Sequence, residues 1–150
     1  MPVLRPTLDI IVERGDLSWG VRALIDTGAP HTMFDRGTAD MLDIDFASGA
    51  GREQFNLLGA PREAQVERVT LMLPDFPDLK WETEVSFLED DLNLTWGGFL
   101  GTWGFLDRWV VTFHRAEEYF VVEEPESFKA RLPPDVAEEY ERRDSGYRGP

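Results

Sequence analysis

The chain has 150 residues, of which 42% are hydrophobic, and its formal net charge is −14. This length and composition predict one domain with a sizeable core rather than a disordered segment. The negative charge argues against nucleic acid as a partner, because binding the phosphate backbone requires a basic surface. The absence of cysteine excludes disulfides, thiolate nucleophiles and thiolate zinc sites. Two histidines are too few for a convincing metal cluster, so we expect no metal and no cofactor.

The N-terminal residues 1–6 are not followed by a long apolar segment. We therefore expect neither a signal peptide nor a membrane span, and we take the cytoplasm as the default location. The acidic surface is interpreted mainly as an aid to solubility.

The first third of the chain predicts a hairpin followed by a short helix. Apolar runs at 7–12 and 19–25 flank the turn residues Gly15-Asp16, which predicts two antiparallel strands. Residues 38–44 predict a helical turn with Thr38 as a possible N-cap, and residues 46–51 predict a loop.

The middle of the chain predicts a hairpin, followed by a turn and a further strand. Extended runs at 54–58 and 64–73 flank a Gly/Pro break, and residues 74–79 predict a Pro/Asp turn. Residues 81–87 alternate with period two, which places Ser86 on the solvent face of a strand whose other face is buried. Val69, Leu71 and Leu73 predict the buried face of the preceding strand.

The last third predicts a short helix at Phe105–Trp109 and a hairpin formed by strands at 110–113 and 119–122. After Pro125 the pattern changes, and helices are predicted at 128–132 and 135–143 around a Pro-Pro pair. Short strands and frequent turns favour a mainly β fold. We divide the chain into a domain of residues 1–124 and a C-terminal helical extension with a flexible tail, residues 125–150.

Asp26 is the first candidate for chemistry. The apolar run at 23–25 predicts a buried strand that delivers this acid into a tight turn, and a carboxylate there is costly unless it is hydrogen-bonded, paired or used. The Thr27 hydroxyl could lock the turn. Gly28 permits an unusual backbone shape or the close approach of another chain.

Two motifs resemble those of the retropepsin-like aspartic proteases. Leu24-Ile25-Asp26-Thr27-Gly28-Ala29 is similar to the active-site motif of that family. Phe99-Leu100-Gly101, followed by residues 105–113, resembles the second motif as it occurs in bacterial members. The motifs stand in the right order about one lobe apart, and the resemblance covers roughly residues 7–122. It implies a closed β-barrel of the acid protease fold, one lobe per chain, with a short helix after Phe99-Leu100-Gly101.

The resemblance also implies a function. Aspartic proteolysis uses two adjacent carboxylates that share one proton, one acting as base on a water and the other as acid. One lobe supplies one such acid, so a homodimer with Asp26 and its symmetry mate on the axis is expected, with Thr27 bonding across the axis and Ala29 completing the turn. The terminal strands at 4–12 and 119–122 are candidates for dimer contacts. A second D-S-G, Asp144-Ser145-Gly146, follows charged residues rather than an apolar strand, and we set it aside.

The hairpin at 54–64 occupies the place of the family's flap, which closes over an extended peptide substrate. We predict Gly59 as its tip, and we assign flap or substrate contacts to Leu57, Leu58, Gly59, Ala60 and Pro61. An ordinary surface hairpin is the alternative.

The sequence departs from the family at one corner. Thr102-Trp103 replaces the usual arginine and its follower, and Pro30 replaces the acid that pairs with that arginine in viral members. The loss of both partners together favours a repacked structure, in which Trp103 could fill the space. The departures keep open a non-catalytic module that binds a peptide or only dimerises, and a self-processing domain. His31 is interpreted as a surface histidine rather than a site residue.

Overall fold

The computed structural model describes residues 5–48 and 50–144. The chain forms two compact units that divide between Asp107 and Arg108. The sequence instead predicts a domain boundary after residue 124. That prediction assigns the hairpin at 110–122 to the first domain, whereas the structure assigns it to the second unit. Within the described residues, no helix is long and apolar enough to cross a membrane.

Seven strands and one helix form the described part of the first unit. They are β1 (Thr7–Arg14), β2 (Leu17–Ile25), β3 (Met33–Phe34), α1 (Arg36–Met41), β4 (Arg52–Leu57), β5 (Ala60–Leu73), β6 (Phe76–Leu88) and β7 (Gly98–Leu100). The sheet order is β1-β2-β7-β3-β6-β5-β4, and β1 also pairs with β5. Six strands therefore close into a barrel, which leaves β4 outside the ring, bonded to β5.

The barrel interior is filled by the apolar faces of its strands. Its fully buried large side chains include Ile10, Phe34, Leu71, Phe87 and Leu100. The period-two prediction for β5 is confirmed, because Val69, Leu71 and Leu73 are buried while the residues between them are half-buried. The predictions of a mainly β fold and a closed β-barrel are confirmed.

The predicted N-cap of α1 is wrong. The helix begins at Arg36, and Asp35 caps it by accepting hydrogen bonds from the Thr38 backbone N–H at 2.8 Å and the Thr38 hydroxyl at 2.7 Å. A carboxylate at this position satisfies an N–H that has no partner within the helix. Thr38 is therefore inside the first turn.

The predicted turn at 74–79 is too long. Only Pro74 and Asp75 form the turn, and β6 begins at Phe76, with Pro77 inside the strand. Proline cannot donate to a β-ladder, so it is tolerated where one side of the strand has no partner. The start of β6 meets this condition, because β3 pairs with β6 only at Ser86 and Phe87.

The predicted short helix after Phe99-Leu100-Gly101 is also wrong, because residues 104–108 form turns. Gly104 has a φ of +97°, outside the helical range, and its N–H donates to the Asp107 carboxylate at 3.0 Å. Leu106 and Asp107 donate to carbonyls five residues earlier rather than four. Burial raises the pKa of the Asp107 carboxyl, against the opposing effect of its backbone hydrogen bonds.

The second unit contains the hairpin β8 (Val110–His114) and β9 (Tyr119–Glu123), then α2 (Pro125–Ala130) and α3 (Pro134–Asp144). The predicted hairpin and both helices are confirmed, although α2 begins three residues earlier than predicted. Phe128 of α2 contacts Tyr140 of α3, with ring centroids 5.5 Å apart. Ser145 and Gly146 of the second D-S-G lie outside the described residues, as does Leu4.

Candidate functional site

Asp26 lies at the exit of β2, beside the exit of β7. The two strands are parallel, with Ile25 paired to Leu100, and the Asp26 backbone N–H donates to the Leu100 carbonyl at 3.0 Å. The sheet therefore joins the two motifs, although more than seventy residues separate them in the chain.

The backbone of the turn orients the Asp26 carboxylate. The Gly28 N–H donates to Asp26 Oδ1 at 2.9 Å, and the Ala29 N–H donates to the Asp26 carbonyl at 3.1 Å. The lock is thus formed by backbone groups rather than by the Thr27 hydroxyl that the sequence suggested. Asp26 is half-buried, whereas Thr27 and Gly28 are exposed, so the carboxylate is both held and accessible.

A pair of backbone segments braces this turn. Residues 29–32 run alongside residues 101–103: Thr102 donates to the Ala29 carbonyl, and Trp103 donates to the Pro30 carbonyl, each at 2.9 Å. Thr32 donates in return to the Trp103 carbonyl, also at 2.9 Å. The Trp103 side chain is 41% exposed, so its backbone, and not a packed indole as predicted, supports the corner where the family's ion pair is missing.

The brace leaves no room for a side chain at Gly101. A Cβ there would lie 2.5 Å from the His31 carbonyl oxygen and 2.6 Å from that of Ala29. The Gly101 N–H donates to the hydroxyl of the fully buried Thr32 at 3.1 Å. Glycine is therefore required at this point by the close approach of the two segments.

A cleft of about 260 Å³ opens beside Asp26. It is lined by Asp26, Gly28, Ala29, Pro30, His31, Met33, Phe55, Asn56, Leu57, Ser86 and Phe99. The register of three neighbouring strands determines which side chains form the floor of the cleft. Met33 is paired with Phe99 on one side and with Ser86 on the other, so the three side chains form a row across β7, β3 and β6.

The β4–β5 hairpin forms the opposite wall. Its two turn residues, Leu58 and Gly59, both have positive φ, +53° and +77°, as a two-residue hairpin loop of type I′ requires. Of the predicted flap residues, Leu57 lines the cleft, Leu58 is 73% exposed at the tip beside Gly59, and Ala60 and Pro61 begin β5.

Sequence reasoning missed several lining residues. Phe55 and Asn56 precede the predicted flap contacts, and the alternation of Phe55 with Leu57 was the signal that could have identified the first. The assignment of Ser86 to a solvent face is wrong, because it is 3% exposed. At this point β6 is flanked by β3 and β5, and period two does not reveal which neighbours cover a strand.

The cleft contains one carboxylate, Asp26, and one imidazole, His31, among its lining residues. His31 is exposed and lines the cleft, so the predicted surface histidine is also part of the site. Among the described residues, no three His, Asp or Glu side chains are grouped as metal ligands would be.

The geometry supplies a held acid and a cleft with apolar walls, one of which is a β-hairpin, but one carboxylate alone cannot act as acid and base at once. No protein-family model matches the sequence, and no curated protein matches it either.

Proposed function

We propose that the protein is an aspartic endopeptidase that hydrolyses peptide bonds as a homodimer of the retropepsin-like type. One observation carries the proposal: the Asp26 carboxylate is held by the Gly28 N–H at 2.9 Å, at the junction of the two motifs, inside a cleft walled by a β-hairpin. A scaffold that only dimerises has no need of an accessible carboxylate oriented in this way.

In the proposed mechanism, Asp26 and its counterpart on a partner protomer lie side by side and share one proton. Two carboxylates this close cannot both be ionised, so one acts as base on a water and the other as acid. The base takes a proton from the water as it attacks the peptide carbonyl. The acid protonates the carbonyl oxygen and later the leaving amine.

The wall provided by β4 suits an extended peptide. Within the described residues β4 pairs only with β5, which leaves the backbone groups of its other edge available to a bound strand. Such strand addition gives affinity through main-chain hydrogen bonds and specificity through side-chain pockets. Phe55 and Leu57 then provide apolar contacts beside the reacting bond.

The proposed dimer contact is at the turn. Thr27 and Gly28 are exposed in the single chain. Residues that contact their counterparts across a twofold axis have to be accessible in this way before the partner binds. The predicted dimer contact through the N-terminal strand has fewer backbone groups available than expected. β1 already pairs with β2 and, at residues 11–13, with β5. β9 pairs with β8, and that two-stranded sheet includes no further described strand.

A non-catalytic peptide-binding module is the second candidate. It is favoured by the presence of a single carboxylate among the cleft residues of one chain. In that case the cleft and the edge of β4 bind an extended peptide without cleaving it.

The substitution Asp26→Asn tests the first proposal. It removes the acid–base pair while keeping an oxygen that can accept the Gly28 hydrogen bond, so cleavage of a denatured protein at mildly acid pH should fall about 10²–10⁴-fold. The matched control is Asp16→Asn, at an exposed residue in the β1–β2 turn, which should cleave at the wild-type rate. Equal cleavage by the wild type and Asp26→Asn contradicts the proposal. Peptide binding without cleavage by any of the three proteins favours the module instead.

A further inference from the structure

We infer that the floor of the cleft recognises a neutral carboxamide side chain, asparagine or glutamine, of a bound peptide through the Ser86 hydroxyl. The inference rests on the proposed function only in taking an extended peptide as the occupant. It adds a substrate class to a site whose walls are otherwise mainly apolar.

The direction of the Ser86 side chain follows from the sheet. Ser86 is paired with Met33, and Met33 is paired with Phe99, so all three project from the same sheet face, and all three line the cleft. Val85 and Phe87, its neighbours in β6, project from the opposite face into the core. The hydroxyl therefore stands at the cleft floor.

Ser86 differs from the other buried polar residues in having no partner for its side chain. Four polar residues among those described are buried: Thr32, Thr38, Gln65 and Ser86. The first three have hydrogen-bonded side chains, to Gly101, to Asp35 and to the Ala50 carbonyl respectively. The Ser86 backbone N–H donates to the Thr32 carbonyl at 3.0 Å, but no described group bonds its hydroxyl.

Ser86 is 3% exposed as a residue, but its hydroxyl is not among the buried side-chain atoms that lack a partner, so it is open to the cleft. A ligand that covers the hydroxyl must therefore replace the hydrogen bond that solvent can give it, or leave it unsatisfied. An aliphatic substrate side chain would cover the hydroxyl and leave it unsatisfied. A substrate side chain with its own hydrogen-bonding group removes this penalty, so the floor discriminates between the two.

Charge decides which polar group fits. A carboxylate would enter a cleft that already contains Asp26, on a protein with a net charge of −14, and would lose its hydration against Met33 and Phe99. An ammonium group would be attracted by the Asp26 carboxylate of the same cleft rather than recognised by the hydroxyl, and it would lose its hydration against Met33 and Phe99. A carboxamide is neutral, and it can both donate to and accept from a hydroxyl.

The experiment measures binding with peptides that cannot be cleaved. Hexapeptides with a reduced central amide bond carry either glutamine or its unbranched apolar counterpart, methionine, at each of the four central positions. Each peptide is titrated calorimetrically into the full-length wild type, Ser86→Ala and the control Ser18→Ala, whose serine is exposed on β2.

At one position, the glutamine peptide should bind the wild type and Ser18→Ala about ten-fold more tightly than the methionine peptide, and Ser86→Ala should lose this preference. The thermal midpoint of Ser86→Ala should equal that of the wild type, because no described group hydrogen-bonds the hydroxyl and it is open to the cleft; a hydroxyl with a structural role would lower it. A glutamate peptide should bind more weakly than the glutamine peptide.

Equal affinity of the glutamine and methionine peptides for the wild type overturns the inference, as does a preference that survives in Ser86→Ala or the failure of every peptide to bind. These outcomes differ from failure of the proposed function. If cleavage is absent but the glutamine preference depends on Ser86, the cleft is a peptide-binding site with this specificity. If cleavage depends on Asp26 but the preference is absent, only the inference about Ser86 fails.

Discussion

The Asp26 carboxylate is oriented by the backbone of its own turn. Gly28 donates to one carboxylate oxygen and Ala29 to the Asp26 carbonyl, so the acid projects from a closed turn rather than from a flexible loop. The supporting residues behind it are Thr32 and Gly101, which join the two motif segments in the interior. Because the acid depends on this support, a change at Gly101 should disturb both stability and activity.

We expect Gly101→Ala to destabilise the protein by about 3 kcal/mol, because the added methyl group would press on two backbone carbonyls that cannot move independently. Urea denaturation measures the free energy of unfolding. The control is Gly20→Ala in β2, where no heavy atom beyond its two chain neighbours lies within 4 Å of the added Cβ, and its free energy of unfolding should stay within about 1 kcal/mol of the wild type. Equal stability of the two variants would show that the brace is not tightly packed.

The β4–β5 hairpin combines a well-formed ladder with an unfavourable residue at its tip. Six residue pairs from Arg52–Gln65 to Leu57–Ala60 hold the two strands together. At the tip, Leu58 has a φ of +53°, a conformation that a leucine adopts only at a cost, whereas Gly59 tolerates its own value of +77°. The exposure of Leu58, at 73%, shows that little packing within the described chain offsets this strain.

We expect Leu58→Asn to stabilise the hairpin by about 1 kcal/mol, because Asn-Gly is the preferred pair for a two-residue loop with positive φ at both positions. Hydrogen exchange of the β4 amides should then slow roughly five-fold. Leu17→Asn, at an exposed leucine without positive φ, should give no such gain. Faster exchange in Leu58→Asn would indicate that the leucine side chain stabilises the hairpin by contacts.

The cleft beside Asp26 is lined by one carboxylate among the described residues of a single chain. In the ring β1-β2-β7-β3-β6-β5, each of the six strands is paired on both edges, at least in part. The Asp26 turn follows the end of β2, and its residues Thr27 and Gly28 are exposed. A second carboxylate must therefore come from a second protomer if the proposed chemistry is correct.

Mixing experiments test that requirement. With nine parts of Asp26→Asn to one part of wild type, random exchange of protomers should reduce the cleavage rate per wild-type chain to about one tenth, because most wild-type chains then lack a partner carboxylate. Nine parts of Asp16→Asn should cause no such loss. An unchanged rate with Asp26→Asn would show that each chain works alone.

Much of the architecture could be predicted from local pattern. The hairpins around Gly15-Asp16 and residues 114–117, the alternation in β5 and the two C-terminal helices all follow from hydrophobic period and turn residues, which act within one or two neighbouring segments. The position of Gly59 at a hairpin turn followed from the same signals. The helix predicted after the second motif failed because Gly104 and Asp107 form a competing turn.

Local pattern places Asp26 at the end of an apolar run, and the structure shows the acid at the exit of β2, where Ala23 and Ile25 are buried and Leu24 is half-buried. The predicted burial holds only for this end of the strand, because residues 17–20 are exposed. Local pattern could not show that backbone segments brace the turn, that Phe55 and Asn56 wall the cleft, or that Ser86 lies on its floor. The alternation of residues along a strand specifies its two faces but not what covers them. That is set when β7, β3 and β6 come together from distant parts of the chain, and it turns a serine of a predicted solvent face into a buried residue of the cleft.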